Sequence, residues 1–370
     1  MFDLHKIVSR FTNTRSGTEI PPLDGPFQPN DAIEEAAEVA KAPSADNLIC
    51  VDGWFYYSAG QDIYRLSVAT VSGGPEHVSR EDAAVSCLAP MHGGGLAIGL
   101  AGMGVVFRGG TMDGQRIVEA AGRKLISPTA LLTSTKGRLI VANASTDHRP
   151  DQWTRDLLSK SQSGFIIEFD PEGRDGRLLA DGLGYAGGLS FGVSDDDVIA
   201  SESWRHRLVS ISRSSGLRAG KSIVEELPGY PGRISPASDG GYWLALFALR
   251  AQLLEFVLTE TEFRDRMMRE IEPQYWIAPS LRRNDHHLCP LQQGAVKKQG
   301  IVKPWAPARS YGLVLKLDRQ FRPKFSFHSR ANGNRHGVSS LCETDGCLYL
   351  TSYGAGLLLR IPVPIREGEI

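Results

Sequence analysis

Short runs of apolar residues recur along the chain, and each run follows a turn rich in glycine or aspartate. In one of these units, the turn Asp239-Gly240-Gly241 precedes the apolar and aromatic run 242–247. A turn signal followed by residues of high β-propensity is typical of a β-hairpin. Each unit then continues through a short link into a second apolar run. The pattern therefore predicts a chain built from paired short strands.

The spacing of these turns predicts the architecture. One turn position in each unit serves as a marker: Gly53, Gly95, Gly137, Asp197, Gly241 and Gly346. Successive markers are separated by 42, 42, 60, 44 and 105 residues. A unit of about 40 to 50 residues made of short strands is the period of a β-propeller blade. We therefore predict an all-β fold, a six-bladed β-propeller, with a β-sandwich carrying helical decoration as the alternative.

The longer gaps between markers predict insertions. We expect an N-terminal extension at 1–40, the propeller at 41–370 and a large insertion at about 249–310, which begins with a helical pattern and ends in a proline-rich, basic loop. The sequence of residues 148–161 has a helical pattern and predicts a second, smaller insertion. Residues 31–41 are rich in helix formers and begin with an aspartate suited to the N-cap, which predicts a helix there. Propeller insertions emerge where ligands bind, so we expect the helical insertions to cap one end of the channel.

Composition narrows the classes of partner. The 370 residues carry a net charge of -1, whereas a nucleic-acid-binding protein is expected to carry a basic patch. No run of about 18 apolar residues is present, so we expect no membrane span, and residues 1–6 lack the apolar stretch of a secretory signal. The five cysteines are scattered and form no CxxC pair, which suits the reduced thiols of the cytosol. We therefore expect a cytoplasmic protein that binds a small-molecule substrate, and the oligomeric state is left open.

Five segments carry a resemblance to a known family. In chain order they are PLDGPFQPNDAIEEAAEV; GRLIVANAS with GFIIEFDP; ADGLGYAGGLSF with VIASESWRHRLVSI; LPGYPGRISPASDGGYWLALFALR; and HGVSSLCETDGCLYLTSYGAGLLLRI. On these segments, residues 21–362 resemble the strictosidine synthase-like family, within the wider group of gluconolactonases, paraoxonases and calcium-bound propellers. The resemblance implies a six-bladed β-propeller with a site at the floor of its channel.

The wider group implies a divalent metal at the channel floor, held by side-chain oxygens from several blades. Of the implied ligand positions, the third-blade one is Asn143 in this chain, and Asp46 lies close to the first-blade one. At the other two positions the group's Asn and Asp are replaced by Gly187 and Gly232, and the cationic Arg233 follows. Two oxygen donors are thus missing, and a guanidinium repels a dication. We therefore expect no metal cofactor; if Ca²⁺ or Zn²⁺ is retained, Asn143 and Asp46 are its expected ligands.

The resemblance also implies a catalytic position at the start of the last blade. Strictosidine synthase uses a glutamate there to condense an amine with an aldehyde, and the matching residue in this chain is His336. The substitution argues against alkaloid synthesis. An imidazole titrates near neutral pH and suits general acid/base catalysis. His336 is therefore the candidate catalytic residue, with a hydrogen-bonded structural histidine as the alternative.

Arg233 is the most informative of the candidate substrate-binding residues. A guanidinium at the position of the metal replaces the metal's charge and can bind a carboxylate or phosphate through two hydrogen bonds. The alternative is a salt bridge at the rim of the channel, with Glu202 as the partner.

Four polar and aromatic residues complete the candidate set. Asn143 and His148 follow the third-blade strand and are candidates for binding a polar substrate, although Asn143 is also suited to holding a turn. Tyr185 and Trp204 either present aromatic faces to an aromatic or amine-bearing ligand or pack in the core.

These residues support three hypotheses of function. The first is a metal-independent, strictosidine synthase-like enzyme that uses histidine acid/base chemistry to make or break a C–N or C–O bond, or to isomerise, on a polar or anionic substrate. The second is a divalent-metal-dependent hydrolase of the lactonase or esterase type. The third is a non-catalytic binding propeller.

Overall fold

The innermost strands of six four-stranded sheets contact one another in a closed ring. The computed structural model describes residues 20–70, 73–215, 220–284, 286–289, 297–298, 301–302 and 309–364. Within these residues, the innermost strand of each sheet packs against those of its two neighbours, and the last sheet packs against the first. The fold is a six-bladed β-propeller, as the turn spacing predicts.

The blades follow the order of the chain, and neighbouring strands within each blade are antiparallel. Strand β1 (Ala37–Lys41) precedes the first complete blade. From the innermost strand outwards, blade 1 contains β2 (Ala45–Val51), β3 (Trp54–Ala59), β4 (Asp62–Ser67) and β5 (Glu76–Arg80). Blade 2 contains β6 (Val85–Pro90), β7 (Leu96–Leu100), β8 (Gly104–Arg108) and β9 (Arg116–Ile117). A small hairpin follows, made of β10 (Glu119–Ala120) and β11 (Arg123–Lys124).

The remaining blades repeat this order. Blade 3 contains β12 (Pro128–Thr133), β13 (Leu139–Asn143), β14 (Gly164–Phe169) and β15 (Arg177–Leu183). Blade 4 contains β16 (Ala186–Phe191), β17 (Asp197–Glu202), β18 (Arg207–Ser212) and β19 (Lys221–Val224). Blade 5 contains β20 (Gly229–Pro236), β21 (Tyr242–Leu249), β24 (Leu313–Leu317) and β25 (Pro323–His328). An insertion between β21 and β24 carries a separate hairpin, made of β22 (Lys297–Lys298) and β23 (Ile301–Val302). Blade 6 contains β26 (Val338–Thr344), β27 (Cys347–Ser352) and β28 (Leu357–Pro362).

Strand β1 closes the ring. It pairs antiparallel with β28 as the outermost strand of blade 6, with Ala37 opposite Arg360 and Lys41 opposite Leu357. The prediction of a helix over 31–41 is therefore wrong, although the segment is rich in helix formers. An open strand edge offers a row of backbone hydrogen bonds, and that tertiary pairing outweighs a weak local helix preference. The predicted boundary of the extension at residue 40 falls inside this strand.

Apolar side chains fill the space between every pair of neighbouring blades. Strand β21 shows the principle: Tyr242, Leu244 and Leu246 pack towards blade 4, whereas Trp243 and Ala245 pack towards blade 6. Because successive side chains of a strand point to opposite faces, a strand covered on both faces is apolar at consecutive positions. This explains why the blade strands appear in the sequence as short apolar runs.

Helices occur where the sequence predicts excursions. The smaller excursion contains α1 (Trp153–Leu158), and the large insertion contains α2 (Gln252–Thr259) and α3 (Thr261–Glu270). Leu157 of α1 packs in one cluster with Leu254 of α2 and Met267 of α3, so the two insertions cover the same region of the propeller. Most of the predicted proline-rich, basic loop lies outside the described residues. None of the described helices is both long enough and apolar enough to span a bilayer.

Candidate functional site

A cavity of about 440 Å³ lies at one end of the channel, and all six blades contribute to its lining. Most of the lining residues stand at or near the first residues of the innermost strands, for example Asp46 of β2, Ser86 of β6 and Thr129 of β12. The excursion after β13 contributes Trp153, and the large insertion contributes Leu281. The insertions therefore cap the end of the channel that holds the cavity.

Arg233 occupies the floor of this cavity. The pairing of β20 with β21 shifts register between Pro231 and Ile234, and such a bulge re-aims the side chains within it. The Nη2 of Arg233 donates hydrogen bonds to the Oδ1 of Asn47 and, at 2.6 Å, to the carbonyl oxygen of Ser86. Its Nη1 lies 3.4 Å from the carbonyl oxygen of Gly187. One guanidinium on blade 5 thus contacts blades 1, 2 and 4.

Within the part of the chain that the structure describes, Arg233 forms no ion pair. Its three acceptors are an amide oxygen and two backbone carbonyls, and no carboxylate of the described residues forms a salt bridge with it. The alternative of a rim salt bridge with Glu202 is wrong. Glu202 is fully buried and pairs with Arg205 at 2.8 Å and Arg207 at 2.6 Å.

A carboxylate shares the cavity with this cation. Asp46 lines the cavity and directly precedes Asn47, the residue whose amide oxygen accepts from Arg233. The Oδ1 of Asp46 accepts the backbone N–H of Asn47 at 2.6 Å. The cavity lining therefore includes the guanidinium of Arg233 and two carboxyl groups, Asp46 and Asp151, of which Asp151 pairs with Arg149 at 3.0 Å.

The channel floor does not fit a divalent metal. Gly187 and Gly232 line the cavity without side-chain donors, and the guanidinium of Arg233 lies between them and blade 1. A Cβ atom on Gly187 would lie 2.7 Å from the Oγ of Ser203, so the space for an asparagine there is filled. In the part of the chain that the structure describes, no group of three or more His, Cys, Asp or Glu side chains could hold a metal ion.

Asn143 serves the turn after β13. It is fully buried, its Oδ1 accepts the backbone N–H of Ser127 at 2.8 Å, and its Nδ2 donates to the carbonyl oxygen of Ser145 at 2.8 Å. It is absent from the lining of the cavity. Both ends of its amide are engaged by backbone, which supports the alternative that Asn143 holds a turn.

An aromatic wall forms one side of the cavity, and the structure gives it a polar support that the sequence did not reveal. Tyr185 lines the cavity, and the ring of Trp204 packs behind it with the centroids 4.4 Å apart. The Nε1 of Trp204 donates to the Oδ1 of Asp156 at 2.7 Å, and the Nδ1 of His148 lies 3.0 Å from the Oδ2 of the same carboxylate. Trp204 and His148, both predicted to bind substrate, stand behind the wall instead of on its surface.

Asp156 is the residue of this network that the sequence analysis missed. It is fully buried in α1, beside Leu157 and Leu158. A buried carboxylate needs hydrogen-bond partners. In the sequence, the one local sign that Asp156 is buried is its position next to two leucines in a short helical segment. Burial, followed by the charge of Asp156, raises the pKa of the Tyr185 phenol well above its ordinary range. Tyr185 therefore presents a neutral ring to the cavity at neutral pH.

His336 does not point into the channel, contrary to expectation. The residue is fully buried, its Nδ1 lies 2.8 Å from the Oγ of Ser310, and its Nε2 lies 2.7 Å from the carbonyl oxygen of Arg330. A carbonyl can only accept, so Nε2 carries the proton and Nδ1 accepts from the serine hydroxyl. Burial lowers the pKa of His336. Both ring nitrogens are thus occupied, which supports the structural alternative.

The large insertion reaches the mouth of the cavity through residues 281 and 282. Leu281 lines the cavity, and Arg282 donates to the Oγ of Ser44 at 2.9 Å. The guanidinium of Arg282 also lies 4.6 Å from the centroid of the Tyr353 ring, which lines the cavity as well. Blade 1 and blade 6 are therefore both in contact with the cap.

Comparisons with known proteins agree with this architecture. A family model described as strictosidine synthase matches residues 131–211. The adipocyte plasma membrane-associated protein of Mus musculus is 25% identical over 250 residues, which cover 65% of this chain and 52% of that protein. Protein strictosidine synthase-like 10 of Arabidopsis thaliana is 27% identical over 124 residues, 33% of each chain. The chain spans about half the length of the animal relatives that it matches.

Solved structures share the fold. A gluconolactonase from Xanthomonas campestris superimposes with a TM-score of 0.58 at 12% identity, covering 93% of this chain and 95% of that chain. Regucalcin, a calcium-binding protein from Agrobacterium tumefaciens, gives a TM-score of 0.54 at 12% identity, covering 89% of this chain and 93% of that chain. At such identities the likeness shows the fold alone. Together the comparisons confirm that the chain resembles the strictosidine synthase-like family, on a six-bladed β-propeller whose fold it shares with gluconolactonase-type proteins.

Proposed function

We propose that this chain is a metal-independent enzyme that acts on a small organic anion in the channel cavity. The observation that carries the proposal is the guanidinium of Arg233, which faces the cavity without an ion-pair partner among the described residues. The strictosidine synthase-like resemblance and the fold shared with a gluconolactonase support an enzymatic role.

The arrangement of Arg233 suits an anionic ligand for two physical reasons. Its neutral oxygen acceptors orient the group without forming an ion pair among the described residues, and a ligand carboxylate would supply one. Three of the five guanidinium N–H groups make the contacts to Asn47, Ser86 and Gly187. Among the contacts of the described residues, the Nε–H and one Nη1–H remain for a molecule in the cavity. Because both Nη2–H groups are engaged, each remaining group can donate a single hydrogen bond to a ligand oxygen.

Of the two carboxyl groups that line the cavity, Asp151 pairs with Arg149, so Asp46 is the better candidate to transfer a proton. Because His336 is enclosed, the acid/base role expected of it falls to the carboxyl group beside Arg233. The proposed reaction makes or breaks a C–N or C–O bond. Asp46 would give or take the proton, and Arg233 would stabilise negative charge that develops on the substrate.

Binding measurements test the anion site directly. Isothermal titration of the wild-type protein with small carboxylates and their uncharged amides should show binding of the carboxylates only. Arg233→Met should weaken carboxylate binding by about 10- to 100-fold, the value of a hydrogen bond to a charged group. The matched control is Arg322→Met, because Arg322 is exposed and contacts Asp318 and Gln320 in a turn outside the cavity. Equal affinity of wild type and Arg233→Met would end the proposal.

Turnover separates an enzyme from a binding protein. A panel of esters, lactones, amides and amine–aldehyde pairs that carry a carboxylate should contain a substrate, and Asp46→Asn should lose its turnover while keeping carboxylate affinity. The same panel is run with EDTA and with added Ca²⁺ or Zn²⁺. Activity that EDTA abolishes would favour the metal-dependent hydrolase, and carboxylate binding without any turnover would favour the binding propeller.

A further inference from the structure

The lining of the cavity differs between its two sides. Blades 1 and 2 contribute small residues, namely Ser58, Gly60, Ala84 and Ala101, and blade 6 contributes Ser339 together with the ring of Tyr353, which contacts Arg282 of the cap. Blades 3, 4 and 5, which lie opposite in the ring, contribute the aromatic rings of Trp153, Tyr185 and Phe247. Three of the four aromatic rings that line the cavity therefore stand on one side of it, and they form its aromatic wall.

The aromatic wall is held rigidly in place. The rings of Trp153 and Phe247 meet edge to face with centroids 5.5 Å apart, and Tyr185 packs against Trp204 at 4.4 Å. Trp204 is in turn fixed by its hydrogen bond to the buried Asp156. Rings arranged in advance lose little conformational entropy when a ligand packs against them. The wall is thus suited to binding a flat apolar group.

The two features lie in one cavity, with the cation at the floor and the rings on one wall. We propose that the substrate is an aromatic carboxylate whose acid group binds Arg233 and whose ring packs against Trp153, Tyr185 and Phe247. This inference rests on the proposed function and adds the chemical class of the substrate. A cavity of about 440 Å³ is within the size range of pockets that bind small organic ligands. The neutral Tyr185 ring adds no charge that would oppose the acid.

A set of matched ligands separates the charge from the ring. Phenylacetate carries both features, cyclohexylacetate keeps the acid without aromaticity, phenylacetamide keeps the ring without charge, and phenethylamine reverses the charge. Titration should show phenylacetate binding about threefold to tenfold more tightly than cyclohexylacetate, the usual size of an aromatic pair contribution. The amide and the amine should bind more weakly than either acid.

Replacement of a wall residue tests the geometry. Phe247→Leu keeps an apolar side chain but removes a ring, so it should bring the ratio of the two acid affinities close to one without abolishing cyclohexylacetate binding. The control is Phe263→Leu, because Phe263 is an exposed phenylalanine of α3 that does not line the cavity. It should leave the ratio unchanged.

The outcomes distinguish this inference from the proposed function. If both acids bind with equal affinity to the wild-type protein, the aromatic assignment is overturned while the anion site stands. If neither acid binds, the proposed function and this inference fall together. If phenethylamine binds most tightly, Asp46 rather than Arg233 selects the ligand, and the assignment of charge is overturned.

Discussion

Replacing Arg233 should lower the stability of the whole ring, because its side chain connects four of the six blades. Arg233→Met removes the hydrogen bonds to Asn47 and Ser86, while the 3.4 Å contact to Gly187 contributes little at that length. Hydrogen bonds to a charged group are worth about 1.5 to 3 kcal/mol each. Water that enters the cavity compensates part of this loss. We therefore expect the free energy of unfolding to fall by about 2 to 4 kcal/mol.

The opposite effect also has to be considered, since replacing a buried ion pair by apolar residues is sometimes stabilising. That gain requires both partners to be replaced. In Arg233→Met the acceptors stay, and Asn47 is only 2% exposed, so its amide oxygen would lose its donor inside the protein. The net effect of Arg233→Met should therefore be a lower free energy of unfolding. Arg233→Lys keeps the charge but not the planar group, and its loss should be intermediate.

Urea unfolding followed by circular dichroism at pH 7 measures the change. The control variant Arg322→Met should stay within about 0.5 kcal/mol of the wild type, as expected for an exposed site. If the site is metal-independent, as proposed, EDTA should leave the unfolding midpoint of the wild type unchanged. A midpoint that falls with EDTA, or an Arg233→Met variant as stable as Arg322→Met, would refute the reasoning.

Three further predictions concern residues around the site and the ring. The side chain of Glu168 is only 2% exposed and forms salt bridges with three arginines. Glu168→Gln should therefore lower the free energy of unfolding, measured in urea, by about 3 to 5 kcal/mol. The control Glu76→Gln, at an exposed ion pair, should lower it by less than about 1 kcal/mol. Burial would raise the pKa of Glu168, but the hydrogen bonds and charges of the arginines outweigh it and lower the pKa. The contribution of Glu168 to the free energy of unfolding should therefore be fully present at pH values above the ordinary carboxyl pKa. It should be lost as the pH falls through the lowered pKa of the folded state, and measuring the unfolding midpoint as a function of acid pH checks this. His336→Gln should keep carboxylate affinity in titration calorimetry while losing about 1 to 3 kcal/mol of stability, and a loss of binding without a loss of stability would contradict the structural role. Asp156→Asn should disturb the environment of Trp204, seen as a shift in its fluorescence emission, and weaken phenylacetate binding more than cyclohexylacetate binding.

The propeller itself could be predicted from local signals. Turn chemistry and the apolar runs that follow it depend on neighbouring residues, and their recurrence at blade-sized intervals indicates the number of blades. Arg233 and Tyr185, both candidates from the sequence, line the cavity, and the family resemblance had placed Arg233 directly after a channel-floor position. An alignment places the backbone of a residue, and the surrounding contacts then decide where its side chain points.

The errors have a shared cause in long-range contacts. Strand β1 is a strand because β28, more than 300 residues away, offers it a free edge, and no window of 11 residues contains that information. His336 was expected at the channel because its position matches a catalytic one, yet the direction of its ring is decided by Ser310 and the carbonyl of Arg330. Asp156 was overlooked because its partners, His148 and Trp204, are brought to it by the fold.

The sequence by itself determined the blade period and the insertions, and through the family resemblance it indicated that Gly187 and Gly232 stand where the wider group has metal-ligand side chains. These are properties of residue type and spacing, which the chain carries before it folds. Only the tertiary structure decided that Arg233 reaches three other blades and that Trp153 and Phe247 face the same cavity. The reason is geometric: a side chain's partners depend on how the blades are arranged around the channel, and that arrangement exists only after the ring has closed.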